Sequence, residues 1–402
     1  MSGSRAAGFW RDNLIYGAAS FGAGVFNYLY HVVLARVLGP AQYGDLAALL
    51  NVTWLWLLPG PVVTLVYTRI GRRQGRAGRV ETGVLWGSGV VLWGLVWAVA
   101  EPLVRLLHVS ALLFVLFTLE VVPSLALAAN QGALQRARRF EWVGAVMLLN
   151  NGFRVVAAAG AAWAGLRLAA LGVLEGVAAW CAWGLSAWAV ARLGPHQGES
   201  GPATVAGTAV VGTLTALWAL LDGLLAKHAL GAHAAGLYNG LATIGHSVQY
   251  VSGSLGVVMM TNILARPSQR VRFFTASLGV YAAVAACFFA LVAGWAPTVV
   301  RLILSPHFLP VASFLVYYGW GMIALGFLNL ILLYAVAVDQ WSVLLPAAGG
   351  MAIWVAVLWR TDTLSAFVGR STAVLVATWA GSAAWMAASA WRRRWVNRAP
   401  VR

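Results

Sequence analysis

Long apolar runs separated by short polar joints fill almost the whole chain. Taken in order, they predict twelve membrane-length helices, at residues 13–37, 43–70, 80–100, 111–134, 142–164, 168–190, 204–230, 235–264, 273–292, 311–338, 342–358 and 373–390. A helix needs roughly 20 apolar residues to cross the hydrocarbon of a bilayer. Twelve of them leave about 13 residues for each connection or tail, which means short loops. Pro59 and Pro61 fall inside the second run and Pro123 inside the fourth. Such prolines kink a membrane helix where neighbours satisfy the freed carbonyls.

One corner organises the rest. LARVLGPAQYGDLAAL, residues 34–49, joins the first two runs through Gly39 and Pro40. Glycine is free to take φ > 0 and proline cannot continue a ladder, so a helix should break there. The pattern returns as AKHALGAHAAGLYNGLA at 226–242, where Leu230, Gly231 and Gly236 match Leu38, Gly39 and Gly44 at a separation of 192 residues. That is close to half of the 402-residue chain and marks a duplicated unit. RLGPHQGESGPA, the most polar stretch, lies between the halves. The expected organisation is a six-helix lobe at 1–191, a cytoplasmic linker at 192–203, a second six-helix lobe at 204–391 and a basic tail at 392–402. The fold class is therefore an all-α polytopic membrane protein, about 12 transmembrane helices in two pseudo-symmetric lobes around a central cleft.

Composition excludes a water-soluble domain. Charged residues are 9% of the chain against about 25% in soluble domains, and apolar ones are 61%. The net charge of +16 does not indicate nucleic acid, because the cations sit in short clusters between apolar runs. With the N-terminus inside, 19 Lys/Arg fall on the inner side and 7 on the outer, which places both termini in the cytoplasm of the inner membrane. Arg154 is left within the membrane. The start, MSGSRAAGFWRDN, lacks the pattern of a secretory signal, so the first run is expected to be retained. Cys181 and Cys287 lie far apart in apolar runs and are expected as buried thiols, not a disulfide.

The corner carries a family resemblance. VLARVLGPAQYGDLAAL, after an Asn-rich, aromatic first run, resembles the start of bacterial O-antigen and teichoic-acid flippases. LLDGLLAKHALGAHAAGLYNGLATIGH resembles their seventh and eighth helices. These belong to the polysaccharide-transport branch of the multidrug/oligosaccharidyl-lipid/polysaccharide exporter superfamily. The resemblance implies flipping of a polyprenyl-(pyro)phosphate-linked glycan between leaflets of the lipid bilayer, beside a glycan polymerase or transferase as partner. It implies no cofactor and no metal.

Ionisable groups inside membrane helices face a cavity or pair with one another. Here they are Glu120, Arg154, Glu175 and Asp222, with Arg36 and Lys227 near the outer ends. Arg154 can hold a phosphate through its planar fork, or it can lock the first lobe by pairing with Glu120 or Glu175. Asp222 can bind an ion, a proton or a sugar hydroxyl, or serve as a cap or interhelix hydrogen bond; Glu120 and Glu175 are the other ion-coupling candidates. Arg36 and Lys227 occupy nearly equivalent places in the repeats. They can line a cationic cleft or snorkel to headgroups. Asn27, Asn51, Asn239, His246, Gln249 and Tyr250, with Asn13, are either cleft ligands near the repeat interface or helix–helix glue. Tryptophans, 21 in all, are chiefly interface anchors.

No G-x-S-x-G, H-E-x-x-H, phosphate-binding loop or paired-Cys metal pattern occurs, so no enzyme is expected. Energy must then come from an ion gradient, the membrane potential or consumption of the product on the far side. Two alternatives remain: an ion-coupled exporter of cationic drugs with the same fold, and a membrane-embedded glycan polymerase or transferase.

Overall fold

A computed structural model describes residues 3–70, 75–165, 168–193 and 203–396. The loop arginines Arg72, Arg73 and Arg167, most of the polar linker and the end of the basic tail lie outside these residues. So do the side chains of Asn13 and Arg76.

The described residues are helices joined by short turns and form no strand. In chain order the helices are α1 (Gly3–Val37), α2 (Pro40–Leu57), α3 (Pro59–Ile70), α4 (Gly75–Ala98), α5 (Ala100–Leu107), α6 (Ala111–Phe117), α7 (Val121–Arg136), α8 (Phe140–Trp163) and α9 (Leu168–Ala191). They continue with α10 (Ala203–Ala229), α11 (Ala232–Ala265), α12 (Arg270–Ile303), α13 (Ala312–Ala337), α14 (Leu344–Leu358) and α15 (Leu364–Val396). Among the described residues, nine segments are long and apolar enough to cross a membrane. The chain is a multi-pass membrane protein. It divides into two compact units, Met1–Ala209 and Val210–Arg402.

Two expected helices are broken, each by a proline that lacks an N–H. Pro59 separates α2 from α3, although Leu58 keeps helical dihedrals of φ −53° and ψ −31°. Pro123 cannot bond the carbonyl of residue 119, and the chain tightens into a 3-10 turn at Thr118–Glu120 between α6 and α7. The ninth helix was expected to stop at 292. It runs on as α12 to Ile303 through a kink at Trp295 (φ −138°, ψ 28°) beside Pro297. The stretches 101–110 and 293–310, left between expected helices, are thus mostly helical.

The duplicated corner is repeated in its geometry. Gly39 caps α2 at φ −64°, ψ 166°, and Gly231 caps α11 at φ −61°, ψ 156°. Leu38 N donates to Leu34 O at 2.8 Å and Leu230 N to Ala226 O at 2.9 Å. Tyr43 N donates to Gly39 O at 3.0 Å and Ala235 N to Gly231 O at 2.9 Å. All four residue pairs differ by 192. The expected use of a positive φ is corrected: both glycines adopt a conformation open to any residue. The break comes from the extended cap and, at the first corner, from Pro40 at the helix start.

Burial is inverted relative to a soluble protein. Val156, Trp163 and Leu302 face outward, 72%, 92% and 69% exposed, while Glu120, Arg154, Glu175, Asp222 and Lys227 are buried. Cys181 and Cys287 are free thiols on the outside of α9 and α12, which corrects their expected burial. In lipid an apolar run does not need a protein interior to leave water.

Helix packing in the first unit depends on small residues. A Cβ on Gly132 of α7 would strike backbone of α3 at Thr64 and Thr68, and one on Gly89 of α4 would strike the carbonyl of Val122. Close backbone approach of this kind is how membrane helices associate. By contrast nothing lies within 4 Å of a Cβ at Gly39 or Gly231. Gly132→Ala should therefore destabilise the detergent-purified protein by about 1–3 kcal/mol through overpacking. Gly39→Ala and Gly231→Ala should each cost less, up to about 1 kcal/mol, because no clash arises and only the preference of an N-cap for glycine over alanine is lost. Unfolding titrations of the three variants check the order.

Candidate functional site

Each unit buries one knot of polar side chains. In the first, Arg154 projects from the middle of α8 and is 6% exposed. Its Nε lies 2.5 Å from Oε2 of Glu175 on α9. The N–H does not aim at that oxygen, so the contact is an ion pair without an aligned hydrogen bond. Nη1 donates to Oδ1 of Asn27 on α1 at 3.4 Å. The guanidinium carbon sits 4.6 Å from the ring centre of Tyr30 and 5.8 Å from that of Trp54 on α2. Two aromatic faces thus supplement one carboxylate in holding the cation. Nη2 of Arg154, the hydroxyl of Tyr30 and Oε1 of Glu120 are buried without a hydrogen-bond partner. Glu120 ends the 3-10 turn that packs on α9, within electrostatic reach of Glu175 and Arg154.

In the second unit the centre is Asp222 on α10, 2% exposed. Its Oδ1 accepts from the backbone N–H of Gly223 at 2.6 Å. Its Oδ2 accepts from Tyr318 on α13 at 3.0 Å and from Tyr238 on α11 at 3.4 Å, and lies 3.1 Å from Nε2 of His246. The Tyr318 hydroxyl is also 3.4 Å from that nitrogen. Tyr238 is fixed edge-on against Phe367 of α15 at 4.8 Å. Both carboxylate oxygens are satisfied, and this knot binds three helices together. A turn further along α11, Ser252 accepts from Asn329 of α13 at 3.0 Å and donates to the carbonyl of Gln249 at 2.6 Å.

The candidate residues from the sequence divide accordingly. Arg154, Glu175 and Asn27 meet, with Glu120 beside them; Asp222 and His246 meet. Asn239 donates to the carbonyl of Ala235 in its own helix at 2.9 Å. Gln249 is buried with Oε1 unpartnered. Asn51 is half-buried and Tyr250 is exposed. Arg36 is exposed in the last turn of α1, whereas Lys227 is buried. The strict repeat offset pairs Arg36 with His228, whose ring lies tilted against Trp359 at 4.1 Å.

Sequence reading missed Tyr30, Trp54, Tyr238 and Tyr318. The repeat held the signal for two of them: an offset of 192 carries Tyr30 to Asp222 and Trp54 to His246. The same two positions of the duplicated unit build both knots. Among the described residues no group of His, Cys, Asp and Glu forms a metal site.

Among solved structures the chain is similar to the lipid II flippase MurJ in an inward closed conformation, with TM-score 0.68 and 11% identity over 92% of this chain and 87% of that one. It is similar to an inward-facing multidrug resistance MATE family transporter of the MOP superfamily, with TM-score 0.64 and 11% identity over 92% and 96% of the two chains. An outward-facing transporter of the same description matches with TM-score 0.61 and 11% identity over 96% of each. At these identities the likeness establishes the fold. No family model and no curated protein matches the sequence.

The distances around Asp222 order the energetics of its donors. Tyr318→Phe should destabilise the protein by about 1 kcal/mol, within the range measured for hydrogen bonds between membrane helices. Tyr238→Phe should cost less. Both effects should shrink in an Asp222→Ala background, which a double-mutant cycle on unfolding free energies measures.

Proposed function

We propose that this protein is a transporter that moves a lipid-linked oligosaccharide or polysaccharide precursor from the inner to the outer leaflet by alternating access. A charged, sugar-bearing headgroup cannot cross hydrocarbon alone, because an unpaired charge there is prohibitive. The protein must supply what water supplied. The observation that carries the reading is Arg154, a buried guanidinium inside an apolar helical unit with Nη2 still free of a hydrogen-bond partner. A phosphate oxygen is the natural acceptor for such a fork. Similarity to a lipid II flippase over most of both chains supports a lipid-linked substrate. Similarity to both inward- and outward-facing transporters supports alternating access. Placement in the inner membrane with both termini cytoplasmic follows from the cation count. The two-lobe division at the polar linker follows from the repeat, and Arg36 and Lys227 serve as further cationic contacts. Chemistry is left to other proteins, among them a glycan polymerase or transferase.

The buried Asp222–His246 pair, with the likeness to multidrug transporters, favours a second reading as an ion-coupled exporter.

Reconstitution separates the two. Liposomes carrying the protein and a fluorescent polyprenyl-pyrophosphate sugar should show protein-dependent access of an outside, membrane-impermeant quencher. Arg154→Lys keeps the charge and loses the fork; loss of one charge-assisted hydrogen bond, about 1.5–3 kcal/mol, should slow transfer roughly ten- to a hundred-fold. Transport of a cationic dye, without glycolipid transfer by the folded protein for any of a panel of headgroups, would replace the flippase with the exporter.

A further inference from the structure

The first knot does not balance its charge. Arg154 brings one positive charge; Glu120 and Glu175 bring two carboxyls, 7% and 2% exposed. Among the described residues no second cation stands near. The turn holding Glu120 packs on α4, α6, α7 and α9. α6 has no ionisable side chain, and those of α4, namely Arg76, Arg79 and Glu81, lie in its first two turns. The close packing of α4 is farther along, at Gly89 against Val122. Arg136 ends α7, four turns away. α9 offers Glu175, and its Cys181 faces out. From α1 comes Tyr30, whose hydroxyl is buried without a partner. An isolated buried carboxylate is far too costly to stay ionised, and it neutralises instead.

We infer that the first unit carries an exchangeable proton on Glu120, and that the partner of Arg154 sets how many protons the knot holds. Glu175 has its counter-charge in Arg154, which lies against it. Glu120, with Oε1 unpartnered, takes the proton from water as a neutral acid. A sodium ion fits less well, since it would need several converging oxygens and would lie beside a guanidinium. When Arg154 turns toward an anion, Glu175 loses its counter-charge and a second proton is drawn in. The link between proton uptake and an anionic headgroup rests on the transport reading above; the proton itself does not.

Infrared spectroscopy of the purified protein tests this without any transport step. A protonated carboxyl shows a C=O stretch that a carboxylate lacks, and its shift in D2O reports exchange. Wild type at neutral pH should show such a band, and Glu120→Gln should abolish it while Asp222→Asn keeps it. Gln has the shape of the neutral acid, so this variant should fold. Arg154→Gln should raise the band area about twofold, since both carboxyls then need protons. These results support the proton site whether or not glycolipid is flipped. A Glu120→Gln spectrum identical to wild type, or a folded Arg154→Gln protein with an unchanged band, overturns it even where flipping is intact.

Discussion

A guanidinium with no water around it has to be matched, and the first unit is arranged to match one. Arg154 draws Asn27 and Tyr30 from α1, Trp54 from α2 and Glu175 from α9 onto itself. Removing either partner of such a pair is costly, whereas the intact pair adds little net stability over apolar packing. Its retention in a chain with 9% charged residues therefore points away from stability and toward use. The incomplete hydrogen bonding supports this. A purely structural arginine would be expected to spend all five of its N–H donors, and Nη2 of Arg154 is unspent.

Duplication explains where the knots are, and divergence explains what they do. The corners at Gly39 and Gly231 agree in dihedrals and hydrogen bonds, so the backbone of the ancestral unit persists. At the same offset, an aromatic pair in the first half, Tyr30 and Trp54, becomes an acid–base pair in the second, Asp222 and His246. The first pair encloses a cation delivered by α8. The second pair is itself the charge, closed by tyrosines from α11 and α13. One backbone position thus holds a cation in one unit and an anion in the other.

Much of the fold was legible because lipid leaves few choices. Backbone groups must be satisfied within the segment, so an apolar run of sufficient length is a helix. The prolines announced the breaks at Leu58 and near Glu120, though not that the ninth helix would continue past Trp295. Side-chain pairing was less legible. Arg154 had two candidate acids, and sequence could not choose Glu175 over Glu120, since all three occupy different helices. The nearest charge to Asp222 along its own helix is Lys227, while its partners lie one and three helices further on. Tyr238 and Tyr318 were passed over because a tyrosine in a membrane helix reads as an interface anchor until its hydroxyl is seen to have a partner. The cysteines misled for the opposite reason: their apolar surroundings were lipid rather than protein.

The two knots also differ in completeness, and that difference bears on mechanism. Asp222 has every lone pair it needs engaged by fixed donors, including a backbone N–H that cannot rotate away. Such a carboxylate is held in place. The first knot leaves a guanidinium nitrogen, a phenol and a carboxyl oxygen buried without a hydrogen-bond partner. In a medium of low dielectric each unused group is expensive, so an arrangement that engages them competes closely with the one observed. An element with two arrangements of similar free energy is what a ligand can bias, and the bias is limited by its differential affinity for the two. On the transport reading the second unit has the fixed role and the first, through Arg154, the responsive one.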